Sequence, residues 1–91
     1  MIILKTINPK VDGYDKREKE AFKYCNKLIE QGWVENITEG CYISPDYSTC
    51  FEYNRCPYYG QLHCYSEYKK EEYNKICEEL IRKGDFISYN N

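Results

Sequence analysis

The 91-residue chain is poor in aliphatic side chains and has one histidine, one methionine and one tryptophan. Ile, Leu, Val and Phe number 18, about 20% of the residues, near the level at which hydrophobic content alone stops sustaining a fold. The longest aliphatic run is Ile2–Leu4, far short of the ~20 residues that cross a bilayer as a helix. No membrane association is expected. The apolar core of a secretory signal is missing as well, so an intracellular, cytoplasmic location is expected. Cys-x-x-Cys exchange motifs and the glycine patterns that cradle phosphates are also absent. The single histidine, His63, adjoins Cys64, and chain neighbours rarely orient as a nucleophile and its base. No enzymatic activity is expected.

Tyrosine and cysteine fill the gap, with 11 Tyr and 6 Cys. A chain this small with so few aliphatics needs a further source of stability. Charge is unevenly spread. Residues 1–32 carry seven basic and five acidic side chains (+2), residues 33–65 one and four (−3), and residues 66–91 five and six (−1). These sum to the net charge of −2. Eight aromatics and four cysteines lie in residues 33–65. The pattern describes one domain, 1–91, made of a βαβ half (1–37), an acidic Cys/Tyr-rich segment (38–65) and an αβ half (66–91).

Residues 2–7 read as a strand stopped by Asn8-Pro9. Asp15 followed by Glu18 has the spacing of a capping box. Ala21, Phe22, Cys25, Leu28 and Ile29 then recur at helical spacing, and Gly32 ends the helix. Trp33–Ile37 reads as a short strand. Ser66 is the expected cap of a second helix with an apolar stripe of Tyr73, Ile76, Cys77, Leu80 and Ile81. Gly84 ends it, before a strand at Phe86–Tyr89. An offset of 52 residues aligns Cys25, Leu28, Ile29 and Gly32 with Cys77, Leu80, Ile81 and Gly84. The expected fold is α+β, a βαββαβ sandwich of the ferredoxin-like kind, its third strand drawn from Tyr42-Ile43 or Cys50–Tyr53. A winged-helix-like fold is the alternative, with Glu39-Gly40 at the tip of the wing.

Cys41, Cys50, Cys56 and Cys64 are separated by eight, five and seven residues, with His63 as an alternative to the last. Thiolates and imidazole suit zinc, and four protein ligands would close its shell and make it structural. Turn formers Pro45, Asp46, Asn54, Pro57 and Gly60 surround them, as expected of an irregular loop pinned by a metal. Two disulfides or buried free thiols are the other readings, and a Cys25–Cys77 bridge between the helices also stays open. Cys41-x8-Cys50-x5-Cys56 resembles the three cysteines of CCCH-type zinc fingers. That family places a histidine where this chain has Gly60. The resemblance implies zinc and single-stranded RNA, with bases stacked on aromatics such as Tyr42, Tyr47, Phe51, Tyr53, Tyr58 and Tyr59.

Charge argues against RNA. Phosphate binding rests on Lys and Arg, and the central segment holds only Arg55. Nucleic acid is therefore not an expected partner. Tyrosine with acidic neighbours suits a protein partner instead, one with a basic, nucleic-acid-binding type of surface. The expected binding residues are Asp46, Tyr47, Glu52, Tyr53, Tyr58 and Tyr59. A composition rich in Asn, Lys, Tyr and Ile suggests an AT-rich genome. The expectation is a small phage or viral regulatory protein, an inhibitor of a host nuclease or defence complex. A zinc-finger RNA binder is the alternative.

Overall fold

The computed structural model describes residues 1–54 and 59–89. Strands β1 (Ile2–Leu4), β2 (Val34–Asn36), β3 (Cys41–Ile43), β4 (Thr49–Glu52), β5 (Gln61–Cys64) and β6 (Phe86–Ser88) form one antiparallel sheet. Their order across it is β2-β3-β4-β5-β1-β6. Helix α1 (Tyr14–Glu30) follows β1, and α2 (Lys70–Arg82) lies between β5 and β6. The fold is therefore α+β, as expected. Its strand count is not: six strands stand where the βαββαβ reading has four.

The extra strands come from residues 38–65, read from sequence as an irregular metal-pinned loop. Strand β3 is buried on both faces, and so are the first three residues of β4. Burial on both sides removes the alternation of apolar and polar residues by which a strand is recognised. The wing-like hairpin does form, with Gly40 in its turn, but it continues into β4 and β5 as a meander. Only one helix of the described residues precedes it, which removes the winged-helix alternative. β1 inserts between β5 and β6, antiparallel to each.

Both helices pack on the same sheet face. Tyr42, Phe51, Leu62, Leu4 and Phe86 point to it by register, and they form one core with Ala21, Tyr24, Cys25, Leu28, Cys77 and Leu80. Tyr24 stands 5.5 Å from Phe51 and 5.3 Å from Phe86, centroid to centroid, and the two phenylalanines are 5.8 Å apart. The α1 stripe is narrower than expected. Phe22 and Ile29 flank it in solvent, and Tyr24 and Arg17 are buried in their place. Arg17 Nη1 donates to the carbonyls of Pro9 and Asp12, 3.1 and 2.7 Å away.

Helix beginnings also differ from expectation. Gly13 precedes α1, and Asp15 lies in the first turn, where its charge complements the helix dipole. Ser66 precedes a 3-10 turn (Glu67–Lys69) rather than α2 itself, with no side-chain cap. The ends follow the internal repeat. Gly32 and Gly84 both adopt φ +87°. Gly32 N–H donates to Ile29 O and Trp33 N–H to Leu28 O; Gly84 and Asp85 do the same to Ile81 and Leu80, all at 3.0–3.1 Å. These are paired Schellman closures, which a left-handed glycine permits.

Gly60 has φ +76°, and a β-carbon there would lie 2.8 Å from Ile7 Cδ1 and 3.2 Å from Leu4 Cβ. Thermal and denaturant unfolding should show three effects. Leu28→Ala and Leu80→Ala should each lose roughly 2–5 kcal/mol, since both side chains are core. Gly60→Ala should lower the melting temperature through steric overlap and φ strain together. Exposed Lys19→Ala should change stability by less than ~0.5 kcal/mol.

Candidate functional site

Alternation along β4 separates the candidate residues into two groups. Cys50 pairs across the sheet with Ile43 and His63, and Glu52 with Cys41 and Gln61. Cys41, Cys50, Glu52 and His63 therefore share the face opposite the helices. Cys41, Ile43 and Cys50 form a small buried cluster there. Cys41 Sγ donates to Glu39 Oε2 at 3.8 Å, and His63 Nε2 lies 3.6 Å from Glu52 Oε1. Thr49 and Cys64 are the next cross-strand pair, so Cys64 points to the helix side. Its thiol donates to Ser66 O at 3.2 Å.

Strand alternation divides the expected four-cysteine shell. Successive residues of a strand face opposite ways, so His63, not Cys64, shares a face with Cys41 and Cys50. Cys56 lies outside the described residues. Among the described residues no three His, Cys, Asp or Glu side chains are gathered closely enough to hold a metal ion. Cys25, Cys41, Cys50, Cys64 and Cys77 are all free thiols. Cys25 sits near Glu35, Tyr42 and Tyr53, whereas Cys77 sits near Tyr73, Cys64 and Lys70, which explains why the helix positions are not bridged.

Burial pushes the Cys50 thiol up to about 12, with the Cys41 and Glu52 charges adding to it. Burial likewise raises Cys41 to about 11, with Glu39 and Glu52 adding. Both are therefore neutral, weakly nucleophilic thiols at ordinary pH.

The five-residue connection from β3 to β4 is tied together by polar groups. Asp46 Oδ1 accepts from Ser44 Oγ and Ser48 Oγ at 2.7 Å and from Ser48 N at 3.0 Å. Burial alone would raise the Asp46 carboxyl, but these hydrogen bonds and the Lys69 ammonium outweigh it and hold it below 3.8. Lys69 Nζ also donates to the Asp46 carbonyl, fastening the 3-10 turn to the hairpin. Tyr47, at the tip, adopts φ +63°. Left-handed backbone is costly for a bulky residue, and the Asp46 network is what holds it there.

The tyrosines expected to form a binding surface divide as well. Tyr47 is 61% exposed. Tyr53 and Tyr59 are instead core residues. Tyr53 OH donates to Glu35, and its ring packs 5.5 Å from Tyr42 and 5.3 Å from Phe22. Tyr59 OH donates to Tyr14 OH, with the rings edge to face at 5.0 Å. Aliphatic scarcity explains this: tyrosine supplies the missing core volume and needs a polar partner for each hydroxyl. Tyr58 lies outside the described residues. Glu52 is half-buried between Cys41 and His63, away from the hairpin tip.

Two tyrosines not singled out from sequence join Tyr47. Tyr65 is 40% exposed and Tyr68 is 100% exposed. The Glu39 charge, followed by burial and the Cys41, Cys50 and Tyr47 charges, raises the Tyr65 hydroxyl. Tyr65 N–H donates to Ser48 O at 2.8 Å, joining β5's end to the hairpin. The signal available in the sequence was position: Tyr65 and Tyr68 flank the junction between β5 and α2, where tyrosine has no apolar stripe to join.

Alkylation of the native protein with iodoacetamide, followed by peptide mapping, should modify Cys64 first among the described cysteines. Cys25, Cys41, Cys50 and Cys77 should react only as the protein unfolds, because their thiols are buried. Early modification of Cys41 or Cys50 would contradict the placement of that pair. No family model, no curated protein and no solved structure matches this chain.

Proposed function

We propose that this chain is a non-enzymatic regulatory protein that binds another protein through an acidic, tyrosine-rich surface. Its centre is the β3–β4 hairpin tip and the start of the 3-10 turn. Tyr47, Tyr65 and Tyr68 supply the rings, and Glu39, Asp46 and Glu67 the negative charge. The observation that carries the reading is the solvent exposure of these three rings, in a chain that buries Tyr24, Tyr42, Tyr53 and Tyr59 for want of aliphatics. Tyrosine gives a large amphipathic contact at small entropic cost, and acidic neighbours favour a basic partner surface. The concrete form of the proposal is an inhibitor that covers a basic, nucleic-acid-binding surface of its target, such as a phage or virus would direct at a host nuclease or defence complex.

The test is affinity capture followed by titration of the isolated partner. Tyr47→Ala with Tyr65→Ala should weaken binding by about 2 kcal/mol or more, as exposed aromatic anchors do. The melting temperature should stay close to that of the native chain. Unchanged affinity in a folded double variant would overturn the proposal. So would tight, salt-sensitive binding of U-rich RNA, which the acidic surface disfavours.

A structural zinc belongs to the same proposal only in altered form. Cys41, Cys50 and His63, which share one face of the sheet, would have to draw closer together to hold it, and zinc would remove both thiol protons. Elemental analysis of protein purified under reducing conditions should then find about one zinc per chain. Cys50→Ser should abolish it, while Cys64→Ser should leave it in place. Metal-free protein with the native melting temperature would remove zinc from the proposal.

A further inference from the structure

Helix α1, the end of β1 and the residues that lead into β6 enclose a cavity of about 230 Å³. It is lined by Leu4, Lys5 and Thr6 after β1, by Glu20, Lys23, Tyr24 and Lys27 on α1, and by Gly84 and Asp85 before β6. Residues 20, 23, 24 and 27 fall on one side of α1 because three and four residues span a helical turn. Leu4 and Tyr24 are both buried core residues and give the cavity an apolar, partly aromatic wall.

Three ammonium groups stand around that wall. Ion pairs among the described residues are Lys16–Asp12, His63–Glu52 and Lys83–Glu79. Lys5, Lys23 and Lys27 thus have no carboxylate within ion-pair distance among the described residues. Lys27 Nζ instead lies 5.5 Å from the centre of the Tyr24 ring. Of the two carboxylates present, Asp85 is engaged: its Oδ2 accepts the Tyr24 hydroxyl at 2.9 Å. Its backbone carbonyl holds the wall together by accepting Lys5 N–H at 2.9 Å. The lining therefore carries three positive and two negative charges, a local excess of cation on a chain of net charge −2.

We propose that this cavity binds a small amphipathic anion, an aromatic or short-chain carboxylate or phosphate monoester. The apolar part would lie against Leu4 and the Tyr24 ring, and the anionic group would face Lys5, Lys23 and Lys27. The site is smaller than the ~300–1,000 Å³ usual for larger ligands, which excludes a complete dinucleotide. The Tyr24 hydroxyl is occupied by Asp85, so recognition of the anion falls to the ammonium groups. The site lies apart from the tyrosine surface and does not depend on the protein-binding proposal.

The experiment is a titration of the isotopically labelled full chain with phenyl phosphate, read by amide chemical shifts. Saturable shifts at millimolar concentration should centre on Lys5, Thr6, Lys23, Lys27, Gly84 and Asp85. Inorganic phosphate should bind more weakly, since it leaves the apolar wall unused, and benzyl alcohol more weakly still. Lys23→Gln with Lys27→Gln should weaken phenyl phosphate binding by about tenfold or more, because charge-assisted contacts are lost. These lysines are solvent-exposed, so the variant should keep the native spectrum outside the cavity. Absence of saturable shifts, equal binding of inorganic phosphate, or unchanged affinity in the double variant would each overturn the proposal.

Discussion

Phe51 lies at the middle of β4 with no exposed surface, and the alternation of its strand organises both sides of the molecule. Thr49 and Phe51 face the helices, and Cys50 and Glu52 face away. The helix-facing side becomes the main core, built on contacts of Phe51 with Tyr24 and Phe86. The opposite side becomes the Cys41–Cys50 thiol pair with His63 and Glu52 beside it. A shift of one residue in the β4 register would exchange these two sets, so the core and the thiol pair depend on the same pairing.

Tyrosine replaces aliphatics in that core, with consequences for chemistry. Buried phenols need acceptors, and the chain supplies them: Asp85 for Tyr24, Glu35 for Tyr53, Tyr14 for Tyr59 and the Leu62 carbonyl for Tyr73. Burial raises the hydroxyls of Tyr24, Tyr53 and Tyr73, with Asp85, Glu35 and Cys77 respectively adding to it, so they remain neutral donors. Two acidic residues, Glu35 and Asp85, are engaged in this way. Tyr47, Tyr65 and Tyr68 stay in solvent, as does Tyr14 in part.

Much of the periphery was legible in the chain. Helical spacing located both helices, and the Leu-Ile pair before glycine located both Schellman ends, because those closures need only local backbone geometry. Helix starts were less legible, since neither Asp15 nor Ser66 makes the capping bond its spacing suggests. The central segment was the least legible. Cys, Tyr, Ser and Thr are tolerated on buried and exposed surfaces alike, so β3 and β4 carry no alternation to read. The same ambiguity hid which tyrosines are core and which are surface.

By itself the sequence determined that the chain is α+β, with two helices, a charge division along its length and too few aliphatics to fill a core without tyrosine. These follow from composition and from spacing within a few residues. Only the tertiary structure decided that Cys64 faces away from Cys41 and Cys50, that Tyr53 and Tyr59 are buried, and that three lysines from distant segments share one cavity. Each depends on strand pairing or helix docking between residues far apart in the chain. No local pattern records those contacts, because their energy arises only when the sheet closes between β5 and β6 around β1.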